Sequence, residues 1–334
     1  MGIMTGSSVL AVAGDASARP GEATTAAERP AKKAVRKKAA AAATCSSAEA
    51  ELSPPPVPVG MDMTLANRAR LREFFLGGKD FFDAERAVWE RLRGFLPQFP
   101  LAYRDERSWR GRVATYLART AGVRQFVVCQ PGFPEHQEAH EVHEIVQALN
   151  AEASVLYVEQ DRVASAYGRA FREINDRIKV IDGPLDSTPE QVFATRAAQS
   201  IIDLDEPVAL LQVGSLQHIS GTAAAQQTMA AWVDQLAAGS YVAVSHLHTP
   251  GDDSELAALA DRTCAALNRH GVPTTFRTDE QISAFFDGLE MIEPGLVTPA
   301  DWWPVGPQIG AGHEARRLIR AGVAAKPAAP QERS

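Results

Sequence analysis

Gln125-Phe126-Val127-Val128-Cys129 is a short apolar run that stops at Gln130-Pro131-Gly132-Phe133-Pro134. Ser154-Val155-Leu156-Tyr157-Val158-Glu159 is a second such run, ending on an acid and leading into Gln160-Asp161. A longer amphipathic stretch separates them. Short apolar runs bounded by turn residues read as strands buried on both faces. A strand, a helix and a second strand in that order form a crossover between parallel neighbours.

Working outward, the alternation continues. Residues 178–181, 208–213 and 241–245 are predicted strands, and 138–149, 162–173, 188–202, 222–237 and 253–270 are predicted helices. This order predicts an α/β domain, Rossmann-like in its winding, with a mostly parallel sheet covered by helices on both faces. Upstream, 65–75, 82–95 and 108–121 carry apolar residues at helical spacing, such as Phe82, Val88, Leu92 and Phe95, and form an N-terminal helical extension. Downstream, 278–286 reads as a last helix, and 289–293 and 302–305 as the closing edge strands.

Composition sets the limits of this domain. Residues 1–61 are an Ala-, Lys- and Pro-rich leader with too little apolar surface to offset the entropy of ordering, and are expected to be disordered. The folded domain is expected over 62–307, and the Gly-, Ala- and Pro-rich segment 308–334 as a flexible tail. A net charge of −7 argues against a general nucleic-acid binder. The basic run from Arg29 to Lys38 reads as a solvated tail, with a tether to a polyanion as the alternative. Cys45, Cys129 and Cys264 lie far apart, so neither a disulfide framework nor a zinc site is expected. No apolar run approaches the roughly 18 residues of a membrane span, and a cytoplasmic location without a membrane partner is expected.

In doubly wound sheets, ligands bind outside the carboxyl ends of the strands. The loop at Gly132 combines a turn that lets a ligand approach the backbone with a helix N-terminus that offers free N–H groups. Glu159, at the end of the second strand, can accept both hydroxyls of a ribose. The expectation is therefore that Gly132 and Glu159 lie side by side at one rim. Dinucleotide and S-adenosylmethionine (SAM) sites share this pair. The Gly-x-Gly-x-x-Gly spacing of a dinucleotide site is missing after the first strand, which ranks an NAD-dependent oxidoreductase last.

Phe75-Leu76-Gly77-Gly78-Lys79-Asp80-Phe81-Phe82-Asp83-Ala84-Glu85-Arg86 resembles the "LLGGKDNFxADRE" opening of an actinobacterial SAM-dependent methyltransferase family. Gly122 to Phe126 is similar to its "GIRQF", and Tyr157-Val158-Glu159-Gln160-Asp161 to its "YVDNDP". Asp205 to Leu211, Gly239 to His246 and Phe285 to Val297 resemble "DRPVALLL", "GSYLVLSH" and "FFDGLELVEPGLV" in the same order. The resemblance implies a class I methyltransferase fold with a seven-stranded sheet, SAM across the first two strand ends and a small-molecule acceptor. It implies cofactor-binding roles for Gly132, Pro134, His140, Glu141, Glu159, Asp161 and Leu185, and for the Gly77-Gly78-Lys79-Asp80 turn. That turn is equally readable as a helix cap in which Asp80 caps the next helix. His246 is the implied general base, and the alternative is that its imidazole orders the neighbouring loop.

Several positions depart from the family pattern. Val128, Gln130 and Pro131 stand where the family has Asp-Ile-Gly-Ser, so an acid and a glycine are missing and Pro131 lacks an N–H. Pro184 stands where an Asp would reach the adenine amino group. Each hydrogen bond lost to a charged ligand costs about 1.5–3 kcal/mol, so two or three losses weaken binding by roughly a hundredfold or more. Two functions are therefore carried forward. One is a SAM-dependent methyltransferase; the other is a catalytically degenerate relative acting as a binding or regulatory protein. His136, His140 and His143 have metal-ligand spacing but read as an exposed charged face, and no metal centre is expected.

Overall fold

Five buried runs become five parallel strands because each is apolar on both sides. They are β1 (Gln125–Cys129), β2 (Ser154–Glu159), β3 (Ile178–Asp182), β4 (Val208–Val213) and β5 (Tyr241–Leu247). The computed structural model describes residues 62–135, 140–304 and 312–327. The expected leader, His136 and Val305 lie outside the described residues.

Helices α1 (Arg68–Leu76), α2 (Asp83–Arg93) and α3 (Phe99–Arg119) precede the sheet. Crossovers and connections then use α4 (Val142–Leu149), α5 (Arg162–Phe171), α6 (Pro189–Phe193), α7 (Arg196–Gln199), α8 (Thr222–Gln235), α9 (Glu255–Arg269) and α10 (Asp279–Ser283). Two further strands, β6 (Glu290–Met291) and β7 (Ile319–Ala325), complete the order β3-β2-β1-β4-β5-β7-β6. β7 runs antiparallel to both β5 and β6. The winding reverses between β1 and β4, which opens a crevice at their carboxyl ends.

The two faces of the sheet follow the strand period of two. Val127, Leu156, Leu210 and Val242 pack with Trp232 and Phe285 on one face. Phe126, Val128, Tyr157, Leu211 and Ala243 pack with Trp109 and Trp302 on the other. A third apolar cluster joins the helical extension to α9 through Phe75, Val88, Leu92, Phe99, Leu259 and Leu267. That cluster holds α1 in place beside the sheet.

The structure departs from expectation at several elements. Helix α3 starts at Phe99, well before residue 108, with Pro100 in its first turn where a missing N–H costs nothing. The helix expected over 188–202 breaks in two because Thr188 and Thr195 each cap a fresh start, accepting from Gln191 N and Ala198 N. Residues 302–304 form no strand, and Trp302 is instead buried beside Trp109. The closing strand is β7, inside the segment expected to be a flexible tail. Seven residues of β7 pair in register with β5, and Ala321, Val323 and Ala324 are fully buried. Gly322 packs closely there, since a Cβ would come 2.9 Å from the end of the Met291 side chain and 3.3 Å from Phe286 Cζ. Among the described residues no helix is long and apolar enough to cross a membrane.

Candidate cofactor cleft at the strand ends

The parallel register sets Cys129 beside Val158, so the loops after β1 and β2 leave the sheet together. Gly132 adopts φ 78°, a value glycine takes without a side-chain penalty. Its N–H donates to Glu159 Oε2 at 2.7 Å. The two residues expected to be neighbours are hydrogen-bonded.

The other carboxylate oxygen is also taken. Glu159 Oε1 accepts from Arg68 Nη2 and from the Asp161 N–H, each at 2.8 Å. The same guanidinium donates to Gln130 Oε1 at 2.8 Å and to the Gln130 carbonyl at 3.1 Å. Gln130 is buried in a left-handed conformation, φ 56°, which costs a side-chain-bearing residue about 1–2 kcal/mol. Its amide offsets that cost by donating to the Gly183 carbonyl at 3.1 Å, while its Oε1 also accepts from Gln160 N. Gln160 Oε1 in turn accepts from Leu185 N at 2.9 Å. Each of these rim groups is bonded to another protein group.

Helix α1 brings Arg68 to the rim. Asn67 caps it through Oδ1, which accepts from Ala69 N at 2.7 Å, and donates through Nδ2 to Asp161 Oδ2 at 2.9 Å. Asp161 Oδ1 caps α5, accepting from Val163 N and Ala164 N. Ala69, Phe133 and Ala164 pack together beneath this junction. In front of it opens a cleft of about 760 Å³, lined in part by Asn67, Arg68, Gln160, Asp161, Tyr167 and Leu185. This size lies within the range of about 300–1,000 Å³ usual for small-molecule sites.

These residues do not fit a SAM nucleoside as they stand. Glu159 is fully buried with both oxygens engaged, Gln130 fills the loop where a glycine would leave room, and Leu185 N is already paired.

The remaining expected residues fall into three groups. Pro134 is buried in the Gly132 loop, and Glu141 lies behind it at the N-terminus of α4. Glu141 Oε1 accepts from Arg172 Nε and Nη2 at 3.0 and 2.9 Å, and from the Glu135 N–H at 2.9 Å. Burial alone would raise the Glu141 pKa, but Arg172 and Arg110 outweigh it and hold the carboxyl at about 2. Arg172 donates to the carbonyls of Gly132 and Phe133, each at 3.0 Å, with its guanidinium over the Tyr157 ring. Glu141 therefore acts on the loop through Arg172. His140 precedes the Glu141 cap of α4 and is exposed beside Glu144, outside the lining of the cleft.

The Gly77 turn ends α1, with Gly77 at φ 88° and the N–H groups of Gly77 and Gly78 returning to Phe74 and Glu73 carbonyls. Lys79 N donates to Glu73 Oε1 at 3.1 Å. Asp80 does not cap α2. The cap position is Phe82, whose N–H donates to Glu85 Oε2 at 2.8 Å, while Asp80 accepts from the Tyr167 hydroxyl. Through Tyr167 this turn reaches the cleft wall.

His246 is enclosed. Its Nδ1 is 2.6 Å from the Leu247 carbonyl, and its Nε2 is 2.7 Å from Arg277 Nη1. Burial and then the Arg277 charge pull the imidazole down to about 3. Because β5 turns this side chain into the protein, the structure gives His246 the loop-ordering geometry and not that of a base facing the cleft. Among the described residues no group of three His, Cys, Asp or Glu side chains could hold a metal ion. Sequence reasoning missed Arg68, Arg172 and Arg277, since a single arginine has no periodic or motif signal.

The sequence profile of the S-adenosyl methyltransferase family matches residues 57–327. The chain belongs to that family. This methyltransferase-family chain is similar to two solved actinobacterial structures. One is a proposed methyltransferase from Thermobifida fusca YX, 28% identical, with TM-score 0.74 over 83% of this chain and 100% of that one. The other is a DUF574-family protein from Streptomyces avermitilis MA-4680, 26% identical, with TM-score 0.73 over 80% and 99%. None of the curated proteins matches the chain.

Proposed function

We propose that this family member is a SAM-dependent methyltransferase for a small-molecule acceptor, and that the structure is its closed form. The supporting observation is the 2.7 Å bond between Gly132 N and Glu159 Oε2, set at the carboxyl ends of β1 and β2 beside a cleft of about 760 Å³. In this reading Glu159, Asp161 and the Gly132 loop form the nucleoside side of the cleft, with Gln160 and Leu185 on its outer wall. Arg172 and Glu141 position the loop without touching ligand. Family membership supplies the reaction class, and no catalytic role is assigned to His246.

Calorimetric titration of the full chain with SAM and with its demethylated product, S-adenosylhomocysteine, tests the proposal. Saturable binding is expected, together with transfer of a labelled methyl group to a member of a panel of small phenols, amines and carboxylic acids. The buried Gln130 side chain favours a second reading, a binding or regulatory protein without transfer. That reading expects no saturable binding of either nucleoside at millimolar concentration by a fully folded chain.

A further inference from the structure

Resting on that reading, we propose that Arg68 is the specificity-determining residue of the cleft, an internal stand-in for the ribose of the ligand. A ribose diol offers neutral donors to a strand-terminal carboxylate. Arg68 offers a charge-assisted one, about twice as strong, at 2.8 Å from Glu159 Oε1. Its guanidinium is fixed by two further bonds, to the side chain and the carbonyl of Gln130. The backbone that carries it is fixed too, because Asn67 caps α1 and bonds Asp161 on the opposite lip.

Two features mark the contact as a property of the cleft and not of the core alone. The Arg68 side chain is 14% exposed, and it lines the large cleft. It also lines a separate small cavity with Leu71, Tyr103, Glu106 and Gln217, at the carboxyl end of β4. Arg68, together with His218 and Val272, therefore forms the partition between the two, and of the three it is the one bonded to Glu159. In the small cavity the buried Gln217 Oε1 has no hydrogen-bond partner among the described residues. A buried acceptor left unpaired is uncommon and costly. Withdrawal of Arg68 would free Glu159 on one side and open a path toward Gln217 on the other.

Charge adds a second selectivity. SAM carries a sulfonium cation, and S-adenosylhomocysteine does not. Arg68 neutralises the Glu159 carboxylate, which would otherwise attract the sulfonium, since charges within a partly dry site interact strongly. Loss of Arg68 should therefore shift the preference toward SAM.

The test is calorimetric titration of S-adenosylhomocysteine and SAM into the full-length wild type, Arg68→Ala and Gln130→Gly. Arg68→Ala is expected to bind S-adenosylhomocysteine at least about tenfold tighter than wild type, with a larger gain for SAM. Gln130→Gly keeps the Arg68–Glu159 pair but removes one of its anchors, so an intermediate gain is expected. Glycine also fits the left-handed backbone at this position, so that variant keeps the test decisive if Arg68→Ala leaves Glu159 unpaired and fails to fold. Equal or weaker affinity in the folded variants, including no binding by any of the proteins, overturns the inference. Wild-type binding and transfer without a gain in the variants removes the inference and leaves the methyltransferase reading standing. Silence of the wild type with tight binding by Arg68→Ala does the reverse.

Discussion

Two side chains, Glu159 and His246, sit toward the carboxyl ends of β2 and β5, parallel strands of one sheet with β1 and β4 between them, and both are fully buried. Their partners differ. Glu159 meets Arg68, which borders the large cleft, whereas His246 meets Arg277, whose other bonds go to the carbonyls of Leu216, Ile219 and Gly221. One pair borders an open cleft; the other stitches a strand to its loop. Burial alone does not separate function from structure, but what lies behind the partner does.

The rim depends most on Arg172. Arg172→Ala removes the ion-pair partner of buried Glu141, leaving it the Glu135 N–H, and releases two loop carbonyls. A loss of about 3–5 kcal/mol is expected in urea unfolding. A loss below about 1 kcal/mol, the size of an exposed pair, would show that the clamp is not what shapes the Gly132 loop.

Acid titration separates the two regions by window. Glu141 has its pKa depressed in the fold to about 2 from 4.5. Its contribution, about 3 kcal/mol by the usual conversion, is complete above pH 4.5 and is lost as pH falls toward 2. His246 and His218 are both held neutral at about 3 from 6.5. The unfolded chain protonates them first, so their contribution is complete above pH 6.5 and falls from there toward 3. Unfolding free energies measured from pH 8 to 3 should therefore decline in two stages, and His246→Gln should flatten the upper one. A flat profile down to pH 4.5 would place the imidazole in solvent.

Arg277→Met is expected to cost about 2–3 kcal/mol through its orphaned carbonyls, with no recovery on adding S-adenosylhomocysteine. Thermal unfolding with and without that compound reads this directly. Recovery by ligand at Arg277 would erase the distinction between the two sites. The smallest effect belongs to Gly77→Ala, about 1 kcal/mol, because the left-handed cap of α1 disfavours a Cβ. A neutral result in thermal unfolding would show that the turn relaxes.

The five parallel strands were legible because each is a continuous apolar run flanked by turns. β7 was not, since Ala321, Gly322 and Ala324 carry little β-propensity; a Cβ at Gly322 would press on Met291 and Phe286, while Ala321 and Ala324 are buried in the clusters on opposite faces. The start of α3 was hidden by Pro100, which looks like a breaker until it falls in a first turn. At the site, the meeting of Gly132 and Glu159 follows from strand ends and was readable. The occupants of that meeting point were not. Arg68 lies 62 residues from Gln130 and 91 from Glu159, so only the packing of the helical extension brings them together. His246 matched the family pattern, but nothing in one sequence tells which way a strand residue faces inside a closed α/β layer.

A crystal structure of the full chain grown with saturating S-adenosylhomocysteine tests the central claim most directly. The account predicts the ribose on Glu159, the purine between Gln160 and Leu185, and the Arg68 guanidinium withdrawn from the carboxylate. Nucleoside bound elsewhere, or bound while all three Arg68 bonds persist, would contradict it.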